Sequence, residues 1–178
     1  YMKMHGDGNT RLCMATAVVA YKQSFGFDAP PYTLKDAELS DTIFFIGANP
    51  VIAHLIFWGR LRTNKDAKII TIDPRKSETA INSHMWIDIK PKTDLILLYT
   101  IANVLIEKDY IDKDYIEKHT EGFEDFKKHV SKFTLAEVEE KTGISAGRVE
   151  ELVEIIHNGK RVSFWWTMGV NQSYEGVR

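Results

Sequence analysis

The sequence predicts an α/β domain with a mainly parallel sheet flanked by helices. Short, continuous apolar runs rich in β-branched and aromatic residues occur at 41–47 (DTIFFIG), 67–73 (AKIITID) and 161–166 (RVSFWW), the pattern of strands buried on both faces. A shorter, more alternating run at 85–89 (MWIDI) reads as a further strand. Helix-like stretches follow or separate these runs, and strands alternating with helices imply parallel pairing through right-handed crossovers.

Bulk composition bounds what such a domain does. At 178 residues, one domain with a well-packed core is expected across 1–178. We divide it into a helix and loop over 1–40 and a core over 41–178. With 44% hydrophobic and 27% charged residues the chain is ordinary for a globular protein. A net charge of −2 supplies no bulk attraction for nucleic acid or an anionic membrane, so neither is an expected partner. One cysteine excludes an internal disulfide and removes any argument for an oxidising compartment. No apolar run approaches the roughly 20 residues of a bilayer-spanning helix, and no signal peptide is visible. Both ends read as internal to something longer. A cytoplasmic setting is the expectation, with any targeting signal lying upstream of Tyr1.

The elements follow in order. LCMATAVVAYKQSFG (12–26) is an expected helix with Leu12, Ala15 and Val19 on its apolar face and Gly26 as terminator. FDAPPYTLKDAE (27–38) reads as loop because of its two prolines. NPVIAHLIFWGRLRTNK (49–65) reads as one helix, with Asn49 as cap and Pro50 in the first turn. Pro74 opens a short polar segment ending near Asn82. TDLILLYTIANVLIEK (93–108) is the clearest helix, with Leu95, Leu98, Ala102 and Leu105 at helical spacing and Thr93 or Asp94 as cap. Short charged helices are expected between 110 and 142. A longer helix then runs from the Ser145 cap to the Gly159 stop.

In open parallel sheets, ligands bind beyond the carboxyl ends of the strands. Four loops qualify. GANP offers Gly47 for close backbone approach and Asn49 as donor and acceptor; DPRKSE offers Asp73 to ribose hydroxyls or a base N–H, and Arg75 and Lys76 to phosphate. KPKTD brings Lys92, Thr93 and Asp94 to a helix start, and TMGVNQS carries Gly169, Asn171 and Gln172. Together they make a polar rim suited to a nucleotide, although each is also ordinary turn and cap chemistry. GANPV lacks the glycine spacing of a nicotinamide or flavin fingerprint.

Cys13 stands alone, without the cysteine or histidine spacing of a zinc site. From the residues it is a small buried hydrophobe, a nucleophile, or a ligand to a metal that other groups hold. His5, His54 and His84 have no spacing that makes one of them its base. His129 and His157 fall on charged helices and are expected at the surface. Trp165 and Trp166 are expected in the core, with one edging the ligand groove.

Taken in order, NTRLCMATAV, IGANPVIAH, IDPRKSETA, IKPKTD, TEGFEDFK and WTMGVNQ resemble the molybdopterin oxidoreductases, over nearly the whole chain. The resemblance implies a Rossmann-like nucleotide-binding domain from the middle of a catalytic subunit carrying molybdenum bis-molybdopterin guanine dinucleotide. In that family the segment follows a region holding a 4Fe-4S cluster. It implies that Cys13 is the metal ligand, a soft thiolate suited to a metal already held by dithiolene sulfurs. Asn9 would contact the pterin. Ile46, Gly47, Ala48, Asn49, Pro50 and, further on, His54 would form the first guanine-nucleotide loop. Asp73, Pro74, Arg75, Lys76 and Ser77 would bind the guanosine. Lys92, Thr93 and Asp94 would continue that pocket, and Met168, Gly169 and Gln172 would close on the cofactor.

Within the family, Met14 after the cysteine looks like periplasmic and assimilatory nitrate reductases, where it would form an apolar wall beside the metal. DPRKSETA and TEGFEDFKKHV look equally like formate dehydrogenases. The implied reaction is oxygen-atom transfer from nitrate, giving nitrite, with formate oxidation as the alternative. Electrons would pass through the iron–sulfur cluster to or from an electron-transfer partner protein. One departure is Leu55 after His54, where the family often has proline. Two non-redox readings remain at this point, a Cys13-dependent enzyme and a plain nucleotide-binding module.

Overall fold

A computed structural model describes residues 9–29, 33–173 and 176–177, with the side chains of residues 9–12 left out of the description. The first expected strand forms β1 (Thr42–Ile46), followed in chain order by β2 (Lys68–Ile72), β3 (Met85–Ile87) and β4 (Val162–Trp166). They make an all-parallel sheet in the order β3-β2-β1-β4. The α/β class and the parallel sheet are as predicted.

β1 is buried along its whole length because its alternate side chains enter two cores. Phe44 and Ile46 join Ile70, Ile72, Leu97, Ile101, Val104, Leu152 and Val153 on one face. Ile43 and Phe45 join Ala37, Trp58, Leu61 and Ile69 on the other. Phe44 stacks on Phe164 across the β1–β4 pair, with centroids 4.8 Å apart. β4, expected to be buried, is only half-buried throughout. It ends the order of described strands and so has a neighbouring strand in that order only on its β1 side.

Helices α1 (Asn9–Phe25) and α2 (Leu34–Leu39) precede β1 in the chain, α3 (Pro50–Ala53) and α4 (Leu55–Leu61) join β1 to β2, and α5 (Glu78–Ile81) joins β2 to β3. Helices α6 (Asp94–Glu107), α7 (Lys113–His119), α8 (Phe123–Val130), α9 (Leu135–Thr142) and α10 (Ala146–Asn158) follow, and α11 (Met168–Asn171) comes after β4.

Several expectations need correction. The 27–38 segment is not all loop: Thr33 and Asp36 form a reciprocal capping box that starts α2, despite the prolines just before it. The single helix over 49–65 is two, broken at His54, whose φ −139° and ψ 58° lie outside the helical region. Asn49 occupies the N-cap position of α3 without capping it through its side chain.

The deepest apolar residues of α6 are Leu97, Ile101 and Val104, one step round from the expected stripe, with Leu98 and Leu105 packed at the margin. This helix packs against α8, α9 and α10, so more than one stripe is covered. On α1 the buried residues are Ala17 and Ala20, while Ala15 and Val19 are exposed. A non-helical Met14 (φ −122°, ψ 16°) shifts the phase of the helix, and small alanines permit close docking. Leu12 lies outside the described side chains. Gly26 ends α1 with φ 79°, as expected of a left-handed terminator. Gly159 stops α10 with φ −72° instead; there a Cβ would run into the Val162 side chain, so small size is what the position requires.

Candidate functional site

β1 lies between β2, reached by the next crossover, and β4. Loops after β1 and β4 therefore leave the sheet at a topological switch point, where α/β folds open a crevice for ligands. Gly47 has φ +54°, a left-handed conformation that favours glycine. A Cβ on Gly47 would stand 2.9 Å from the Gly169 Cα, and one on Gly169 would stand 2.7 Å from the Gly47 Cα. The two backbones are tied there: Gly169 N–H donates to the Gly47 carbonyl at 3.3 Å, and the Thr167 hydroxyl donates to the same oxygen at 2.9 Å.

The contact between α1 and α11 brings the expected metal-ligand cysteine to this end. Half-buried Cys13 places its Sγ 2.8 Å from Met168 Sδ, and the Gln172 amide donates to the sulfur at 3.9 Å. The Thr16 hydroxyl donates to the Asn171 carbonyl at 2.6 Å, and the Trp166 indole N–H donates to Asn171 Oδ1 at 3.0 Å. These bonds hold α1 over the β4 loop, with the helix irregular at Met14 immediately after the thiol. Neither Met168 nor Gln172 is a base, so the nucleophile reading of Cys13 gains no support. The Asn9 side chain lies outside the described residues.

Three other expected residues meet across a second gap. Lys92, Asp94 and Gln172 line a cavity of about 220 Å³ with Leu95, Val170, Ser173 and Gly176. Burial raises the Asp94 carboxyl above the ordinary aspartate range, and the charge of Asp73 pushes it the same way. Asp73 is itself raised by burial, against the lowering effect of the Arg75 backbone N–H, which donates to its Oδ1 at 2.8 Å. Asp94 thus meets an ammonium, Lys92, and an amide, Gln172, around this cavity. Thr93 turns its hydroxyl to the Lys90 carbonyl at 2.7 Å and does not cap α6 with its side chain.

In the second loop Pro74, Arg75 and Lys76 are exposed. Lys76 Nζ sits 5.5 Å from the Trp86 ring centroid, and the Trp86 indole donates to the Asp73 carbonyl at 2.8 Å. Ser77 is buried, and its hydroxyl accepts from Ala80 N–H at 3.3 Å as the cap of α5. Ile46 is a core residue, and Ala48 and Pro50 are buried behind the loop surface.

Asn49 faces sideways into the protein: its amide donates to Glu78 Oε2 at 2.7 Å and its Oδ1 accepts from Thr79 N–H and Oγ1 at 3.1 and 2.7 Å. Its own N–H and the Asn49 side chain hold the Glu78 carboxylate below the ordinary glutamate range. Residues 78 and 79 were not among the expected site residues. Their only signal was a polar Ser-Glu-Thr run at a helix start.

His54 is exposed and lines a second, larger opening of about 720 Å³ on the other side of the Gly47 loop, with Ile52, Leu55, Phe57, Trp165 and Thr167. Trp165 and Trp166 are half-buried, each packed against one of the two cores, and both edge this opening, where core positions with one of them edging the groove were expected. His84 accepts the Ile69 N–H at its Nδ1 and is part of the strand margin. His129 and His157 are exposed, as expected.

Fold and site together describe a parallel α/β domain with a thiol docked at its switch point. The sequence model of the molybdopterin oxidoreductase family matches residues 4–178, and the chain belongs to that family. It is 38% identical over 175 residues to a nitrate reductase from Synechocystis sp., covering 96% of this chain and 24% of that protein. An assimilatory nitrate reductase from Haloferax mediterranei is 36% identical over the same 96% share, and formate dehydrogenase H from Escherichia coli is 34% identical. The chain thus spans about a quarter of the length of these curated relatives. Among solved structures, acetylene hydratase from Pelobacter acetylenicus superposes with a TM-score of 0.77 over 91% of this chain and 22% of that one, at 24% identity, a likeness of fold. A molybdenum–pterin cofactor follows from family membership. Among the described residues no helix is long and apolar enough to cross a membrane.

Proposed function

We propose that the chain is the guanine-nucleotide-binding part of a nitrate reductase catalytic subunit that uses a molybdenum bis-molybdopterin guanine dinucleotide cofactor. The observation that carries this reading is the meeting of Cys13 with Met168 and Gln172 beside the Gly47–Gly169 approach. Residues present fit the cofactor on two grounds. The Gly47–Gly169 contact, which a Cβ at either position would break, brings the β1 and β4 loops together at the strand ends, and one soft thiolate suits a metal whose remaining ligands the cofactor supplies. Among the described residues no cluster of three or more His, Cys, Asp or Glu side chains competes as a metal site.

When bound, the cofactor supplies the two-electron redox chemistry. The chain's own residues hold and orient it: Cys13 as the protein ligand, with Met14 and Met168 making the apolar, unprotonatable wall beside it. Gly47 and Gly169 would keep the β1 and β4 loops in backbone contact at the strand ends, Arg75 and Lys76 would offer charge to its phosphates, and Asp73 and Asp94 would accept from the guanosine. Asn9 completes the pterin side. A 4Fe-4S cluster elsewhere in the full-length protein and an electron-transfer partner protein would supply the electrons.

Nitrate over formate rests on Met14, which cannot relay a proton, and on the nitrate reductases among the relatives. Formate dehydrogenase is the second reading, favoured by the likeness to the Escherichia coli enzyme. The full-length protein, assayed with both substrates, tests them. Cys13→Ala is expected to abolish nitrate reduction while guanine nucleotide remains recoverable from the protein. Unchanged nitrate reduction would overturn the proposal, and formate oxidation without nitrate reduction would transfer it to the second reading.

A further inference from the structure

We infer that Thr79 is a positioning residue of the nucleotide-facing end, acting through Asn49 to lock the loop after β1 to the loop after β2. The inference rests on the function proposed above.

The β1–β2 ladder ends at the Ile46–Ile72 pair, with one further bond from Gly47 N–H to the Ile72 carbonyl at 2.9 Å. Beyond that point the tie runs through side chains. Thr79 is fully buried, and its hydroxyl has one proton to give and lone pairs to receive. It donates to Asn49 Oδ1 at 2.7 Å and accepts the Val51 N–H at 3.2 Å. Its own backbone N–H reaches the same Asn49 oxygen at 3.1 Å.

A helix normally takes its second or third N–H onto the side chain of its own cap residue. Here that role passes to a residue from another helix, 28 positions away. The Asn49 side chain is thereby drawn off α3 and onto α5, where its amide holds Glu78. Every polar atom of the Asn49 and Thr79 side chains is satisfied within the protein, so neither side chain needs the ligand. What they set is the distance between Gly47 on one loop and Asp73 to Ser77 on the other. A cofactor that touches both loops then meets a preformed surface, without the entropic cost of ordering two separate loops.

The test uses the full-length holoenzyme with Thr79→Val, which keeps the shape and deletes the hydroxyl, and Thr79→Ser, which restores it. Molybdenum per protein and pterin fluorescence after gel filtration report cofactor retention, and kcat is expressed per bound molybdenum. Thr79→Val is expected to retain about tenfold less cofactor, since a buried partner is left unsatisfied. Its kcat per molybdenum should stay at the wild-type value, and Thr79→Ser should hold cofactor as the wild type does. In the chain itself, hydrogen exchange at the Val51 amide should accelerate in Thr79→Val and return to the wild-type rate in Thr79→Ser.

Wild-type cofactor content in Thr79→Val, or an equal loss in Thr79→Ser, would overturn the inference while leaving the proposed function standing. A wild-type protein that carries no pterin would overturn both. Should Thr79→Val fail to fold, Asn49→Asp poses the question from the other side. It keeps the acceptor for Thr79 but sets a carboxylate against Glu78; the same loss of cofactor is expected, and unchanged content counts against the lock.

Discussion

The Cα of Gly47 stands within 2.7 Å of where a Cβ on Gly169 would be, so the first and last strands of the sheet meet at their ligand ends backbone against backbone. Gly169→Ala forces a backbone shift, because the atoms in the way belong to the main chain and not to a flexible side chain. A cost of about 1–3 kcal/mol is expected. Calorimetry should register it as a fall in Tm of about 2–4 °C per kcal/mol, given the size of the chain. Calorimetric titration should show weaker guanine-nucleotide binding beyond what the lost stability explains.

Met168 shields the Cys13 sulfur as well as contacting it. Met168→Ala is expected to speed alkylation of Cys13 by iodoacetamide several-fold in the isolated chain, measured by intact mass. Met168→Leu, which refills the volume, should return the rate to near wild type. Equal rates in all three would show that access to the thiol is controlled elsewhere.

Asp94 owes part of its raised pKa to the charge of Asp73. Asp73→Asn should therefore bring the Asp94 carboxyl back toward the ordinary aspartate value in a carbon-detected NMR titration. The stability consequence has a definite sign. Because the folded value lies above the unfolded one, the native chain binds more protons between the two, and stability falls as pH rises through that window. Asp94→Asn should flatten that slope in denaturant melts across the acid range. A steeper slope would mean that the carboxyl is stabilised, not penalised, in the fold.

Phe44 is fully buried at the centre of the sheet and stacks on Phe164. Phe44→Ala is expected to cost about 3–5 kcal/mol, read from urea unfolding midpoints at constant m. The side chain points into the core shared with α6 and α10, so loss of stability should come without a specific change in Cys13 reactivity.

What was legible in the residues followed from period and punctuation. Strands such as TIFFI and KIITI announce themselves because a strand buried on both faces is apolar at nearly every position, and these runs are short and rich in β-branched and aromatic residues. Loops at their carboxyl ends were equally readable, since the topology of a parallel sheet assigns them to one end before any contact is known. The break at His54 was not readable, because neither glycine nor proline marks it; the helix is interrupted by backbone geometry at an ordinary residue. Prolines at 30 and 31 obscured α2, although the Thr33 and Asp36 pair that starts it was in plain view.

Within the site, each acid and each glycine could be nominated singly, by the loop it sits in. Pairings could not. Asn49 looked like a cap facing a ligand, and only the placement of α5 shows Thr79 and Glu78 taking its side chain. Raised pKa values at Asp73 and Asp94 likewise arise from burial and, at Asp94, from the charge of Asp73, which belong to the assembled sheet and not to either loop.

The seat of Cys13 also has a date in the life of the molecule. The thiol and Met168 are 155 positions apart. During synthesis the cysteine emerges among the first residues of this chain, whereas the methionine and glutamine that flank it emerge among the last. Domains fold as units while the chain is made, N-terminal parts first. α1 must therefore wait, with its thiol exposed, until β4 has joined the sheet and α11 has formed. The seat of the thiol is thus among the last features to form, completed only once the sheet is.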